Sequence, residues 1–85
     1  MLHKELQVEI ISPEGYLFNG HCHLITIPSV EGEMGLMADH EAVLANLKEG
    51  KIAVFDQYQN ILKEFSVKSG FAEMFDNRLL VLVDD

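Results

Sequence analysis

Two histidines that stand two positions apart, His21 and His23, are the residues with the clearest capacity for chemistry in this sequence. In a β-strand, side chains at i and i+2 share a face, so both imidazoles can bind one metal ion, with His40 as a third ligand. Cys22 would point to the opposite face. One hypothesis is therefore a metal-binding small β-barrel enzyme or sensor that uses His21, His23 and His40, although two surface histidines beside a turn are the simpler interpretation.

Other residues with catalytic potential give weaker signals. Cys22 beside a histidine could act as a nucleophile, but a lone cysteine is more often a small core residue. Glu31 and Glu33 could form an acid/base pair, but solvated carboxylates are the simpler interpretation. Gly32 and Gly35 lack the Lys and Ser/Thr that complete a phosphate-binding loop. The residues therefore predict no catalytic side chain, no resident metal and no cofactor.

The charge of the chain limits the classes of partner. Its 85 residues include 14 Asp and Glu against six Lys and Arg, which gives a net charge of −8. This balance argues against binding to nucleic acid or to an anionic membrane surface. The longest apolar run, Leu79–Val83, is too short to span a bilayer, and the N-terminus has no apolar signal core. We expect a soluble, unexported protein that meets a membrane only through protein partners.

Short apolar segments separated by turn residues dominate the remaining pattern. The expected strands are Lys4–Ile11, Tyr16–Phe18, His21–Ile27, Leu36–Met37, Lys51–Phe55, Ile61–Lys68, Phe71–Phe75 and Arg78–Val83. Glu41–Leu47 fits either a helical turn or a strand, and the surrounding β-segments favour a strand. We therefore predict one all-β domain over residues 1–85, an antiparallel β-sandwich of about 8–10 short strands.

Turn and burial signals give more specific expectations. Ser12-Pro13-Glu14-Gly15 is expected to form a turn, because proline suits its second position and glycine its fourth. Asn19-Gly20 is the strongest hairpin-turn signal in the chain. The five consecutive apolar residues Leu79–Val83 suggest burial on both faces of the last strand. Ile61 is expected to point inward, and Val43 and Leu44 are expected in the core because such residues are usually buried.

The segment Ile27–Gly50 is long and partly polar, and it contains three of the six glycines. Most connections in small β-domains have only about 4–6 residues, so this segment must contain short strands, a recognition surface, or both. Pro28 is expected to end a strand or to lie at a sheet edge. We expect Glu31–Gly35 to form a turn-rich loop.

Several motifs in a fixed order carry a resemblance to one family. They are Ser12-Pro13-Glu14-Gly15, Phe18-Asn19-Gly20, Ile27-Pro28, Glu31-Gly32-Glu33-Met34-Gly35-Leu36, His40, Leu44, Leu47-Lys48-Glu49-Gly50, Ser69-Gly70-Phe71-Ala72-Glu73, Asn77 and Val81-Leu82-Val83-Asp84. With these motifs, nearly the whole chain resembles the N-terminal β-sandwich of the epsilon subunit of rotary ATP synthases, which is the delta subunit in mitochondria.

The resemblance implies a non-catalytic rotor subunit in the central stalk, which couples proton flow to ATP synthesis. Its partners would be the gamma subunit, the ring of c subunits and, within the complex, the alpha/beta catalytic head. It would be peripheral at the cytoplasmic face of the bacterial inner membrane. By resemblance, the residues facing the c-ring are Val30, Glu31, Gly32, Glu33 and Met34. Those facing gamma are Ser12, His40, Glu41, Ala42 and Ala45.

The sequence departs from the family pattern in places. The family's Pro-Gly before the histidine is Ala38-Asp39 here, and its Ala-Pro after the histidine is Glu41-Ala42. Glu49 and Ser69 replace a usual proline and glycine. The family usually adds two C-terminal α-helices that can inhibit ATP hydrolysis or bind ATP; with no residue after Asp85, we do not expect those roles from this sequence.

Overall fold

The computed structural model describes residues 4–84, which form nine β-strands and contain no helix within that range. The strands are β1 (Leu6–Ser12), β2 (Gly15–Cys22), β3 (Leu24–Ser29), β4 (Gly32–Met37), β5 (Val43–Leu47), β6 (Gly50–Phe55), β7 (Ile61–Val67), β8 (Ser69–Phe75) and β9 (Arg78–Asp84). The predicted all-β sandwich of about 8–10 short strands is confirmed. The segment Glu41–Leu47 contains a strand, which the sequence analysis favoured over a helical turn.

The strands pair in two groups that face each other. One group has the order β2-β1-β9-β8-β5, and the other has the order β4-β3-β6-β7. A single residue pair, Ser29 of β3 with Leu47 of β5, joins the two groups into one nearly closed sheet. Neighbouring strands are antiparallel except β1 and β9, which run parallel with Val8 opposite Leu79. This parallel pair makes the sheet mixed, whereas the predicted sandwich was antiparallel.

The core lies between the two groups of strands and is built by alternation along each strand. In β1, every second residue from Leu6 is buried, while the intervening residues are partly exposed. The largest fully buried side chains are Leu6, Val8, Ile10, Cys22, Ile25, Ile27, Leu36, Ile52, Val54, Met74, Leu79 and Val81. Burial of a side chain of this size contributes about 1.5–3 kcal/mol, so this two-sided core is the main source of stability.

The first hairpin turns between Ser12 and Gly15, as predicted. β2 is then one continuous strand in which Asn19-Gly20 pairs with β1. The predicted Asn19-Gly20 turn is therefore wrong. Gly15 has a φ of 130°, a conformation that glycine adopts without steric cost, so Ser-Pro-Glu-Gly already reverses the chain. A bend at His23 separates β2 from β3.

The expected turn-rich loop over Glu31–Gly35 is also wrong, because Gly32–Met37 is the strand β4. Its hairpin with β3 pairs Ser29 with Gly32 and leaves only Val30 and Glu31 in the turn. Pro28 does not end its strand; it pairs with Glu33. Its carbonyl accepts a hydrogen bond from the Lys48 N–H at 2.9 Å, a role that the missing proline N–H does not affect.

Three apolar residues expected inside the core are exposed. Leu82 is 45% exposed, Ile61 54% and Leu44 70%. Leu44 and Leu82 alternate with more buried neighbours and face away from the core, where no second layer of residues 4–84 covers them. Ile61 lies among the first four residues of β7, all of which are exposed. The expected burial of β9 on both faces is therefore wrong, whereas Val43 is half-buried and packs against the core as expected.

Candidate functional site

The three histidines of the metal hypothesis are not brought together. His21 is exposed on β2 opposite Gln7, His23 forms the bend after that strand, and His40 lies in the β4–β5 connection. The His40 Nδ1 is 2.9 Å from the Glu41 carbonyl oxygen. Within residues 4–84, no group of three or more His, Cys, Asp and Glu side chains could hold a metal ion. The predicted metal site of His21, His23 and His40 is therefore wrong, since the structure does not bring these three side chains together.

Cys22 is a core residue with 1% exposure. Burial and, to a smaller extent, the charge of Glu5 raise the pKa of its thiol to about 11. Because the thiolate is the reactive form of cysteine, this environment suppresses nucleophilic chemistry near neutral pH.

The residues expected to face the c-ring form the tip of the β3–β4 hairpin, which we name the acidic tip (residues 30–34). Glu31 and Glu33 are exposed, and Val30 is 56% exposed beside them. The Glu31 N–H donates to Ser29 Oγ at 3.0 Å, and the Val30 N–H donates to the Asn46 carbonyl oxygen at 2.9 Å. The acidic tip is therefore held against β5 and presents two carboxylates and one apolar side chain, while Met34 packs against the core.

The residues expected to face gamma are divided between two ends of the sandwich. His40, Glu41 and Ala42 are exposed in the β4–β5 connection, just before β5 begins. Ser12 is 6% exposed and lies at the far end of β1, at the level where β5 finishes. Ala45 is half-buried opposite Ala72. The structure thus keeps the His40–Ala42 loop accessible but does not bring Ser12 next to it.

An exposed apolar surface that the sequence analysis missed covers the outside of the larger group of strands. We name it the outer apolar face; its residues are Ile11, Tyr16, Leu44, Phe71, Phe75, Leu80 and Leu82. Tyr16, Ile11, Leu82 and Phe71 lie opposite one another on four adjacent strands and form a continuous row. Contiguous exposed apolar surface of this kind is typical of a protein-binding site.

The signal that could have revealed this face lies in β8 and β9. Both parities of these strands carry large apolar residues, with Met74 and Leu79 inside and Phe75 and Leu82 outside. Such a pattern predicts cover on both sides of a sheet. Residues 4–84 supply cover on one side only, so the other side of these two strands is exposed within this range.

The outer apolar face reaches the His40–Ala42 loop. Ala42, Leu44 and Phe75 line a shallow depression between β5 and β8, with Glu73 at its side. Leu44 and Phe75 are each 70% exposed. The loop and the sheet therefore form one continuous surface.

Polar side chains are interspersed on this surface; in the strand register, for example, Glu73 lies between Leu44 and Leu80. Glu9, Glu73 and Arg78 line a second depression of about 260 Å³ beside Phe75 and Leu80. The Tyr16 hydroxyl donates to Glu9 Oε2 at 3.0 Å, and this hydrogen bond raises the pKa of Tyr16. The described residues 4–84 include no helix long and apolar enough to cross a membrane.

Comparison with known sequences identifies relatives along nearly the whole chain. Residues 5–85 match the family described as ATP synthase, Delta/Epsilon chain, beta-sandwich domain. The ATP synthase epsilon chain of Parvibaculum lavamentivorans is 37% identical over 81 residues, which cover 95% of this chain and 61% of that relative. The ATP synthase epsilon chain of Caulobacter vibrioides is 31% identical over 80 residues, which cover 94% of this chain and 91% of that relative.

Solved structures show the same fold at lower sequence identity. A chain of the Euglena gracilis mitochondrial ATP synthase, solved with OSCP, F1 and the c-ring, superposes with a TM-score of 0.85 at 21% identity and covers 98% of this chain and 52% of that one. A chain of the Tetrahymena thermophila mitochondrial ATP synthase central stalk and c-ring gives 0.75 at 18% identity, covering 100% and 67%. From its sequence match over residues 5–85, the chain belongs to the family of ATP synthase delta and epsilon chains.

Proposed function

We propose that this chain is a non-catalytic subunit of the rotor of a proton-translocating ATP synthase. In this role it binds the gamma subunit and the c-ring and helps to couple proton flow to ATP synthesis in the alpha/beta head. The observation that carries the proposal is the family match over residues 5–85. The two exposed surfaces support it, because both suit protein partners and neither gathers catalytic groups.

The outer apolar face and the adjoining His40–Ala42 loop are the proposed gamma-binding surface. Leu44 and Phe75 stand out from this surface and would fill recesses on the partner. Large exposed apolar side chains at the centre of an interface usually supply most of the binding energy. Ala45 lies beneath this surface, and Ser12 would reach gamma only through a separate contact at the other end of the sandwich.

The acidic tip is the proposed c-ring-binding surface. Glu31 and Glu33 would pair with basic groups on the polar loops of the ring, while Gly32 and Met34 shape the hairpin that carries them. Charge pairs of this type guide docking and fix the orientation of a complex more than they increase its affinity. The proposed location is peripheral, at the cytoplasmic face of the bacterial inner membrane, with the membrane contacted only through protein partners.

The direct test is binding of the folded chain to the purified gamma subunit of the same ATP synthase. A stable complex at micromolar concentrations is expected, and Leu44→Ser combined with Phe75→Ser should weaken it at least tenfold. The matched control is Leu62→Ser, which removes a 47% exposed leucine from β7, outside the outer apolar face. Absence of a complex under conditions where the chain is folded would overturn the proposal.

A further inference from the structure

Two turns that are far apart in the sequence are joined directly beside the proposed gamma-binding surface. The Asp39 N–H donates to Asn77 Oδ1 at 2.6 Å, and Asn77 Nδ2 donates in return to Asp39 Oδ1 at 3.4 Å. Asp39 begins the loop that leads through His40 to β5, and Asn77 belongs to the β8–β9 turn. We name this reciprocal pair the Asp39–Asn77 clamp.

Both residues of the clamp have a left-handed backbone, with φ of 67° at Asp39 and 62° at Asn77. Asparagine and aspartate tolerate this conformation better than other side-chain-bearing residues, so both turns suit their sequences. The Asn77 carbonyl also accepts a hydrogen bond from the Gln7 N–H at 3.0 Å. Asn77 is therefore fixed to β1 through its backbone and holds the loop through its side chain.

The clamp joins the two turns that lead to the two sides of one depression. Ala42, three residues after Asp39, lies on one side, and Phe75, two residues before Asn77, lies on the other. The pairing of β5 with β8 begins at Val43, directly after Ala42, so the sheet fixes one end of the His40–Ala42 loop and the clamp fixes the other. Asp39 also forms a 3.2 Å ion pair with Lys4, in which both side chains are more than 60% exposed, and such pairs contribute little.

We infer that Asn77 is a positioning residue that holds the His40–Ala42 loop in its partner-binding conformation before the partner arrives. This inference rests on the proposed function. A loop that is already ordered loses less conformational entropy on binding than one that must be ordered by the partner. The contribution of Asn77 is therefore to affinity, although its side chain is not required to touch the partner.

The experiment compares three variants of the chain. Asn77→Gly removes both side-chain bonds of the clamp, and glycine keeps the left-handed backbone without strain. Asp76→Gly is the matched control, because Asp76 lies in the same turn with a φ of 52° and its side chain is not in the clamp. Asp39→Asn retains a backbone donor and a side-chain oxygen for the clamp but removes the charge that pairs with Lys4.

Two measurements are made on each variant: amide hydrogen exchange at Asp39 and His40, and affinity for the purified gamma subunit. For Asn77→Gly we expect exchange at these amides to become at least tenfold faster while sheet amides are unchanged, and affinity to fall about tenfold. Asp76→Gly and Asp39→Asn should stay within about twofold of the parent in affinity.

The outcomes separate the two proposals. If the parent chain binds gamma and Asn77→Gly binds as tightly as Asp76→Gly, the role of the clamp is overturned and the proposed function stands. If amide exchange at Asp39 is unchanged in Asn77→Gly, the inference that Asn77 holds the loop is overturned, whatever the affinity for gamma. If the parent chain does not bind gamma, the proposed function is overturned, and the positioning role for that partner is overturned with it.

Discussion

Ser12 and Ser29 occupy equivalent positions in two turns of the same sequence pattern, Ser-x-Glu-Gly. Each hydroxyl oxygen accepts the N–H of the glutamate two residues later, Glu14 at 3.3 Å and Glu31 at 3.0 Å. The glycines that close the turns have φ of 130° and 132°. Both serines are nearly buried, at 6% and 2% exposure. The chain thus uses one turn design twice, once in the β1–β2 hairpin and once to support the acidic tip.

Ser29→Ala tests the importance of that hydroxyl at the acidic tip. The variant leaves the Glu31 N–H without its side-chain acceptor, so the free energy of unfolding should fall by about 0.5–1.5 kcal/mol. Ser66→Ala, at an exposed position of β7, is the control and should change it by less than about 0.5 kcal/mol. Urea titration measures both, and equal effects would show that the hydroxyl does not stabilise the turn.

Gly70→Ala tests a close approach between β8 and β9. A Cβ at this position would collide with the main-chain oxygen of Leu82 and stand 3.2 Å from the Val83 Cα, and backbone atoms cannot move aside cheaply. We expect a loss of about 1–3 kcal/mol in the free energy of unfolding. Gly20→Ala is the matched control, since its Cβ would meet only the Phe18 side chain at 3.5 Å. A Gly70→Ala protein as stable as Gly20→Ala would contradict the close approach.

Leu79→Ala and Leu82→Ala separate the two faces of β9. Leu79 is 2% exposed, so Leu79→Ala should lower the free energy of unfolding by about 2–5 kcal/mol, as truncation of core leucines does. Leu82, 45% exposed, should cost less than about 1 kcal/mol but should weaken gamma binding. Thermal unfolding and a binding titration on the same samples distinguish the two effects. A larger stability loss for Leu82→Ala than for Leu79→Ala would reverse the assignment of the faces.

The buried Cys22 thiol should make the stability of the protein fall at alkaline pH. Its folded pKa of about 11 lies above the ordinary value of 9.0, so the unfolded thiol loses its proton first as the pH rises. The stabilisation is complete below pH 9 and is lost between about pH 9 and 11, by about 2–3 kcal/mol in the free energy of unfolding. The comparison is with Cys22→Ala, which lacks this titration. Parallel stability curves for the two proteins over this range would contradict the assignment.

Glu33→Lys tests the acidic tip. Glu33 is exposed on β4, so the melting temperature should change little. Docking to an isolated c-ring should slow, and the difference from the parent should shrink at high salt because screening weakens charge pairs. Glu64→Lys on β7 controls for the change in net charge. A large fall in melting temperature, or equal docking by both variants, would argue against a solvated, ring-facing carboxylate.

The sequence predicted the strands well where turn residues and alternation agree. Lys4–Ile11, Lys51–Phe55 and Phe71–Phe75 match β1, β6 and β8 to within one or two residues. The Ser12–Gly15 turn was predicted correctly, but the local turn signal of Asn19-Gly20 wrongly divided β2 into two strands. Pairing of β2 along the length of β1 overrides that local preference, and a local signal cannot report such long-range pairing.

The exposed surface was harder to predict than the strands. Leu44 and Leu82 are apolar, and apolarity by itself indicates burial in the chain's own core. It does not distinguish that core from a surface that a partner covers. The acidic tip was identified by resemblance, but its hairpin geometry depends on the pairing of Pro28 with Glu33, which proline chemistry argued against.

The parallel pairing of β1 with β9 has a consequence during synthesis. β1 is translated first and β9 last among the nine strands, yet they are neighbours in the middle of the larger group. While the chain is still emerging from the ribosome, β1 can pair only with β2, and β8 only with β5. The larger group of strands can therefore close only after β9 has emerged, when β9 pairs with β1 across more than 70 residues of sequence. A nascent chain stalled before Arg78 would leave β1 and β8 as open sheet edges to which chaperones can bind.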